Sequence, residues 1–398
     1  MSTAPRTNID FAAPPIAATI QRRSLWVGIV FGIATIIGFI FTPAQAIRSY
    51  LLGYMWWLEM TLGCLALLMT QFLTGGSWGM VLRRFFEAGS RCLWLMAALF
   101  VPIIIGMRSL YFWTDSATVA KEGLQHQAQM YLSGPFFVMR AVIYFVGWGV
   151  AVYFLTRWSG LQDQPPDRDF SSRFRALSGP GVVVYFFTMT FASVDWVMSL
   201  QPHWVSTIYG MIFVAGQGLA GLCLATVMAI VMAKYEPMRR ILKPSNLNDY
   251  GNLMLTFIML WGWFTFSQWL IDWAGNEPDE ISWYLARLHH GWRYVGFVLL
   301  MFYFCVPFLL LLSKNLKRDP RSLIWLAVWM LVMRWTDLFW QIEPAFNRDA
   351  FHISWLDFVI PIAMGGFWVW LFYYNLRARP LVPLHDPRAR AILGPDID

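Results

Sequence analysis

Charged residues are scarce in this chain. Only 13% of its 398 residues are Asp, Glu, Lys or Arg, whereas 58% are hydrophobic. A composition this poor in charge is typical of a polytopic membrane protein and excludes most soluble domain classes. The apolar residues form continuous runs rather than alternating patterns, which indicates membrane-spanning helices and not strands.

Residues that bind metals and redox groups are scarce as well. The chain has four cysteines, each in a different apolar run, and six histidines, all in predicted loops or at the ends of runs. No CxxC or CxxCH spacing is present, which argues against an iron–sulfur cluster or a haem c. No phosphate loop or dinucleotide fingerprint is present either. We therefore expect this chain to bind no metal and no redox cofactor of its own.

Ten apolar runs have about the length of 17–25 residues that crosses a bilayer. They predict an all-α integral membrane domain over residues 24–376, between an N-terminal tail (1–23) and a C-terminal tail (377–398). The ten predicted spans, numbered 1 to 10, are Ser24–Phe41, Tyr50–Leu73, Cys92–Met107, Pro135–Thr156, Gly181–Leu200, Val205–Ala233, Leu253–Trp273, Trp292–Leu312, Leu323–Ile342 and Trp355–Tyr374.

Basic residues are distributed very unequally between the two sides of these spans. Both tails and the loops after spans 2, 4, 6 and 8 hold 22 of the 30 Lys and Arg residues, and the opposite loops hold five. The positive-inside rule then predicts that both termini are cytoplasmic. The pI of about 9.3 follows from this topology, because basic residues scattered over short loops form no groove for a nucleic acid.

Charged side chains inside the predicted spans all fall in the half nearest the less basic face. A charged side chain in hydrocarbon costs at least about 2.5–3.5 kcal/mol on insertion scales. Such residues are therefore retained where they are paired, hydrated or needed for function. The sequence therefore predicts an outward-facing polar network and an inner half without charge. The eight residues are Glu59, Arg140, Asp195, Asp272, Arg293, Arg334, Asp337 and Asp357.

These eight residues are unbalanced in charge, with five acids and three arginines. An excess of buried negative charge is costly, so we expect one or more carboxyls to hold or share a proton. Arg334 and Asp337 are three residues apart and share a helix face. Glu59 lies deepest and is the main candidate for a protonated carboxyl. The proton-transfer candidates are Glu59, Asp195, Asp272, Asp337 and Asp357, and their candidate charge partners are Arg140, Arg293 and Arg334.

A purely structural interpretation of the same residues stays open. Arg140 with Asp195, and Arg293 with Asp337, are candidates for static ion pairs that fix helix register. Asp272, Asp357 and Arg293 lie near the predicted interface, where contact with water accounts for them. Under this interpretation the polar groups hold the helices together and move no proton.

Two predicted spans end with related motifs. In span 5, Asp195 precedes Pro202 by seven residues, and in span 9, Asp337 precedes Pro344 by the same distance. An arginine lies near the outer end of the preceding span in both cases. This pattern predicts two four-helix bundles, spans 2–5 and spans 6–9, with two peripheral helices.

Several long motifs carry a family resemblance. The stretch from Asp195 to Gly210 reads DWVMSLQPHWVSTIYG, and further motifs run from Phe266 to Pro278 and from Arg379 to Pro387. In these motifs the chain resembles the ActF family, membrane subunits of the bacterial alternative complex III. That family is related to the NrfD and polysulfide-reductase membrane subunits, and the resemblance extends over nearly the whole chain.

The resemblance implies a role in a respiratory complex of the bacterial inner membrane. Such a complex oxidises quinol and passes electrons through iron–sulfur clusters and haem c in partner subunits to a periplasmic acceptor. A homologous NrfD-like sister subunit is the one expected to bind quinol. We therefore expect a non-redox subunit that supplies helix packing and a proton path open to the periplasm.

Two alternatives use the same residues differently. As a quinol-binding subunit of the same complex, the chain would have a quinone site with Asp195, Trp196 and His203 as candidate residues. As a secondary transporter, it would need broken helices and polar groups near the midplane. The charge-free inner half and the lack of a matched pair of glycine breaks argue against a transporter.

Overall fold

A computed structural model describes residues 11–164, 168–383 and 386, without the side chains of residues 127–129 and 279–280. Within these ranges all regular secondary structure is helical. Ten helices are long and apolar enough to cross a membrane, which confirms the predicted all-α, ten-span fold class. Parts of both predicted tails, namely residues 1–10, 384–385 and 387–398, lie outside the described residues.

Each observed span corresponds to one predicted span, and the numbering is kept. The ten helical spans are Pro15–Phe41, Pro43–Thr74, Ser77–Ile105, Gly134–Gln162, Ser171–Leu200, Tyr209–Met232, Pro244–Gly275, Trp292–Leu312, Pro320–Ala345 and Leu356–Arg377. A further helix, Pro278–Leu288, connects spans 7 and 8 and is called the connecting helix below.

Most spans are longer than their apolar cores. Span 1 begins at Pro15, within the predicted N-terminal tail, and span 3 begins at Ser77 rather than at Cys92. Apolar composition marks only the part of a helix that contacts lipid, whereas the backbone hydrogen bonds of a helix continue into polar sequence. Span 3 therefore includes Arg83, Arg84 and Glu87, although hydropathy predicts a loop at these positions.

Both ends of the helical domain lie at one face, called the terminal face below. The backbone amide of Leu381 donates to the carbonyl of Phe11, with an N–O distance of 2.8 Å. Span 1 packs along span 10, where Gly28 and Gly366 bring the two backbones together. Only 11% of the most apolar stretch of span 1 is buried, compared with 61% for span 10. Span 1 is thus the peripheral helix, and span 10 also packs on span 2.

The other eight spans pack in two groups. In the first group span 2 contacts span 3, span 3 contacts span 4, span 4 contacts span 5, and span 5 returns to span 2. In the second group spans 6, 7, 8 and 9 form the same closed sequence of contacts. The division into two four-helix bundles stays a prediction, because spans 2 and 6 contact each other as extensively as spans do within either group.

The two groups meet most closely between spans 2 and 6. A methyl group at Gly63 would lie 1.9 Å from the carbonyl oxygen of Gln217, and one at Gly221 would lie 2.5 Å from the carbonyl carbon of Gly63. The glycines therefore let two backbones touch, as small residues do between helices in lipid. Ala225 and Ala229, which continue the small-residue face of span 6, are buried as well.

Candidate functional site

Glu59, Arg334 and Asp337 form a buried ionic triad between spans 2 and 9. The Nε atom of Arg334 donates to Oε2 of Glu59 at 2.7 Å, and a second guanidinium nitrogen donates to Oε1 of the same carboxylate. The third guanidinium nitrogen donates to Oδ2 of Asp337. Each of the three residues is 2% exposed or less. Helical spacing predicts the Arg334–Asp337 contact but not the partner of Glu59, because that partner lies on another helix.

Spans 6 and 7 complete the enclosure of the triad. Gly216 in span 6 leaves room for Arg334, since a methyl group there would lie 2.4 Å from its guanidinium carbon. On span 7, the indole Nε1 of Trp261 donates to Oδ2 of Asp337 at 3.0 Å. Four spans thus fix the positions of one guanidinium and two carboxyls, which is the rigid support that a functional constellation needs.

The charges of the triad balance only when it holds a proton. With both carboxyls ionised, the single guanidinium leaves one uncompensated negative charge inside the protein. An unpaired buried charge costs several kcal/mol, about 3–5 kcal/mol when a buried pair is broken. A proton on either Glu59 or Asp337 makes the triad neutral while both hydrogen-bonding partners of Arg334 stay in place. The arrangement is therefore suited to accept and release one proton.

Arg140 and Asp195 form a second buried pair, between spans 4 and 5. Two guanidinium nitrogens of Arg140 donate to the two carboxylate oxygens of Asp195, each at 2.8 Å. The hydroxyl of Tyr144 donates to the same carboxylate at 2.7 Å. Two-point pairing with an added hydrogen bond fixes the geometry firmly. This pair matches the structural interpretation, because every oxygen of Asp195 already has a donor.

The candidate quinone-site residues Trp196 and His203 lie in different surroundings. Trp196 is fully buried and packs among aromatic rings, including Phe100 at a centroid distance of 4.8 Å. His203 is exposed on the loop after span 5, where its Nε2 lies 3.4 Å from a carboxylate oxygen of Glu122. The structure therefore does not bring Trp196 and His203 together around one ligand cavity.

Asp272 and Asp357 lie in two further clusters near the opposite face. Asp272 accepts from the Gln268 amide at 2.7 Å and from the Trp204 indole at 3.0 Å. Asp357 accepts from the Ser49 hydroxyl at 2.5 Å and, in the first turn of span 10, from the backbone amide of Ser354 at 2.8 Å. The second contact ties the start of span 10 to the loop residue Ser354, which gives Asp357 a structural role.

The proposed pairing of Arg293 with Asp337 is wrong. Arg293 is exposed, and its guanidinium contacts the hydroxyl of the neighbouring Tyr294 at 3.0 Å. The carboxylate of Asp337 is instead held by Arg334 in its own helix. Spans 5 and 9 therefore share a sequence motif, but their aspartates form different ion pairs. Asp195 pairs with an arginine of the preceding span, whereas Asp337 pairs with an arginine of its own span.

The eight charged residues thus do not form one connected chain. In the described part of the molecule their hydrogen bonds divide into separate clusters around Glu59, Asp195, Asp272 and Asp357, with Arg293 apart. The expectation of a charge-free inner half is also wrong. Near the terminal face Glu87 accepts from Arg83 at 3.0 Å and from Arg84 at 2.7 Å, and all three side chains are buried.

Sequence reasoning missed Arg287, in the connecting helix, which is fully buried. Its guanidinium stacks 3.5 Å over the ring of Trp283. It donates to the carbonyl of Gln341 at 2.7 Å and to the side-chain oxygen of Gln201 at 3.0 Å. Burial lowers the pKa of Arg287 to about 9, so the group is still charged at neutral pH. The signal in the sequence was Trp283, four residues earlier on the same helix face.

Arg287 joins the triad to a polar pocket at the opposite face. The Gln341 side chain, one turn from Asp337, hydrogen-bonds that carboxyl. Gln201, the other partner of Arg287, lines a pocket with a volume of about 280 Å³. His203, Glu122 and Arg348 also line this pocket. A continuous series of polar groups therefore leads from Asp337 through Gln341, Arg287 and Gln201 to the surface.

Comparison with known proteins adds no assignment to this geometry. No family model and no curated protein matches the chain.

Proposed function

We propose that this chain is a non-redox integral membrane subunit of an alternative complex III, a respiratory complex that oxidises quinol and reduces a cytochrome c or another periplasmic acceptor. In this proposal the chain supplies a helical scaffold and a site that exchanges protons with the periplasmic side. Electrons travel through haem c and iron–sulfur clusters in partner subunits. The ActF-like motifs from Asp195 to Gly210 and from Phe266 to Pro278 are the basis for naming this complex.

One observation carries the proton-exchange role. Glu59 and Asp337 share the single guanidinium of Arg334 in the protein interior. An ionisable cluster that cannot be neutral without a proton is costly to keep merely for packing, and membrane proteins retain such groups chiefly on proton and ion pathways. Gln341, Arg287 and Gln201 extend polar contact from this triad toward the opposite face.

The proposed orientation follows from the basic loops. Arg and Lys cluster at the terminal face, so that face is placed in the cytoplasm and the opposite face in the periplasm. The polar pocket beside His203 and Gln201 then opens to the periplasm. The bacterial inner membrane is the corresponding location, and the partners include a homologous NrfD-like subunit that binds quinol.

Replacing Glu59 with glutamine tests the role directly. The variant keeps Arg334 paired with Asp337 and the shape of the side chain, so we expect normal assembly. Turnover coupled to proton release should fall by about a hundredfold, the lower end of what a positioned proton-transfer group contributes. The measurement is quinol oxidation and proton release by the purified complex in liposomes.

Asp357→Asn is the matched control, because Asp357 is also buried but its hydrogen bonds to Ser49 and Ser354 lie at the start of span 10. We expect near-normal turnover from this variant. Full activity of Glu59→Gln in a correctly assembled complex would contradict proton exchange at the triad. Equal losses in both variants would point to a general structural effect instead.

A further inference from the structure

A long apolar groove runs between spans 3 and 4, with a volume of about 480 Å³. Aliphatic and aromatic side chains and one glycine line it, from Ile104 and Val138 at the end away from the terminal face to Tyr153 and Phe154 at the other end. The stretch from Val138 to Phe154 is about 24 Å long, at about 1.5 Å per residue. One leaflet contributes about half of the 30 Å hydrocarbon core. The groove is therefore long enough for a lipid acyl chain.

The groove is open on the side that faces the bilayer. Val142 and Val146, both in its wall, are 56% and 58% exposed, so no other described part of the chain covers them. Trp94 forms part of the opposite wall and is 56% exposed as well. An acyl chain can therefore enter the groove sideways from the membrane.

A polar pocket of about 470 Å³ adjoins the groove at the end away from the terminal face. Met107 and Gly134 in its wall lie about one helical turn beyond Ile104 and Val138, the last residues of the groove. The two spans touch here, since a methyl group at Gly134 would lie 3.1 Å from the terminal carbon of Met107. The groove and the pocket are thus consecutive parts of one cleft.

Two hydrogen-bond donors in the wall of this pocket have no partner within the described residues. The indole Nε1 of Trp113 is one of them, although the residue is only 3% exposed. The other is the exposed guanidinium of Arg108, which forms no ion pair with a described residue. A buried donor without a partner costs about 1–3 kcal/mol and calls for an explanation. A ligand oxygen inside the pocket supplies one.

The acids of the same loop leave the charge of Arg108 without compensation. Asp115 accepts from the backbone amide of Thr118 at 3.1 Å and from its hydroxyl at 2.6 Å. Glu122 lies 3.4 Å from Nε2 of His203. Neither acid lines the pocket, whose other polar side chains are neutral serine, threonine and glutamine. An unpaired guanidinium among neutral hydrogen-bonding groups suits a phosphate, which arginine binds well.

We propose that this cleft binds one glycerophospholipid, with its phosphate accepting from Arg108 and Trp113 and an acyl chain lying along the groove between spans 3 and 4. Basic pockets between membrane helices bind lipid headgroups in this way. A free phosphate would leave the groove open, and an apolar helix of a partner would leave Arg108 and Trp113 without an acceptor. This inference goes beyond the proposed function and does not rest on it.

Two pairs of variants test the two parts of the cleft, and all four replace exposed residues so that folding is preserved. Val142→Trp narrows the groove, and its control is Ile143→Trp, because Ile143 is 54% exposed but does not line the groove. Arg108→Gln removes the charge from the pocket. Its control is Lys121→Gln, since Lys121 belongs to the same loop and is exposed but does not line the pocket.

The full chain is purified in detergent, freed of lipid and titrated with palmitoyl-oleoyl phosphatidylglycerol, and native mass spectrometry gives the affinity for the first bound lipid. We expect Arg108→Gln and Val142→Trp each to bind at least roughly tenfold more weakly than the wild type, equivalent to about 1.4 kcal/mol. Both control variants should bind like the wild type. Diacylglycerol, which lacks the phosphate, should bind equally to the wild type and to Arg108→Gln. Equal affinity of these two chains for phosphatidylglycerol would overturn the proposal.

The same variants distinguish the other possible occupants. If inorganic phosphate displaces the lipid and Val142→Trp binds normally, the pocket is a site for free phosphate and the lipid proposal fails. If Val142→Trp loses affinity while Arg108→Gln does not, the groove receives only apolar groups, such as a partner helix, and the proposal fails as well. These outcomes are independent of Glu59→Gln, whose readout is proton release.

Discussion

Replacing Arg334 with leucine should prevent the chain from accumulating as a folded protein. The change leaves two fully buried carboxyls, Glu59 and Asp337, without their cation. Removing one member of a buried ion pair costs about 3–5 kcal/mol, a large part of the total stability of a typical protein. The measurement is the yield of monodisperse protein in detergent and its thermal unfolding.

Arg293→Leu provides the control for this prediction, because Arg293 belongs to a neighbouring span but is exposed. We expect its yield and unfolding temperature to stay near those of the wild type. A triple variant with Arg334→Leu, Glu59→Gln and Asp337→Asn should recover part of the lost stability, since it removes the stranded charges as well. Normal stability of Arg334→Leu alone would mean that water reaches the triad.

Replacing Gly63 with leucine should separate the two groups of spans. The first side-chain carbon would already lie 1.9 Å from the carbonyl oxygen of Gln217, and both groups belong to backbones that cannot rotate away. Overpacking a protein core costs about 1–3 kcal/mol, and here the cost should reach or exceed the upper value. We expect a lower unfolding temperature and loss of monodisperse protein in size-exclusion chromatography.

Gly179→Leu is the control, because a methyl group at Gly179 meets nothing within 4 Å. Leucine has a higher helix propensity than glycine, so this variant should be as stable as the wild type or slightly more so. If both glycine variants unfold at the same temperature, spans 2 and 6 are not in backbone contact.

The sequence predicted the spans well because lipid imposes a simple rule. Every backbone polar group in hydrocarbon must be satisfied within its own helix, so apolar length alone reveals a span. The same rule explains why the ends of the spans are predicted wrongly. Arg83 and Glu87 lie within the helix of span 3, yet hydropathy analysis assigns such residues to a loop because it measures only the apolar part.

The composition of the candidate site was harder to predict. The Arg334–Asp337 contact follows from helical spacing, since the two residues are three apart on one helix. The contact between Glu59 and Arg334 joins spans 2 and 9, and no local pattern in a single sequence encodes which distant helices pack together. For Arg293 the error is the reverse, a predicted ion pair that does not form. Its position near a span end resembles that of Arg140, but its side chain is exposed.

Arg287 illustrates a third kind of miss. A basic residue in a short loop is normally counted for topology and then treated as hydrated. Here the connecting helix folds over the ends of spans 7 and 9, and Arg287 is buried against Trp283 and the backbone of span 9. Burial of a loop residue depends on tertiary packing, which composition does not reveal.

The central claim is that the Glu59–Arg334–Asp337 triad holds one exchangeable proton. Infrared difference spectroscopy of the purified protein at neutral pH tests it, because a protonated carboxyl has a C=O stretching band that a carboxylate lacks. We predict such a band in the wild type and in Asp357→Asn, and a weaker band in the double variant Glu59→Gln, Asp337→Asn, which lacks the contribution of the triad. A spectrum of the folded double variant identical to that of the wild type in this region would contradict the account.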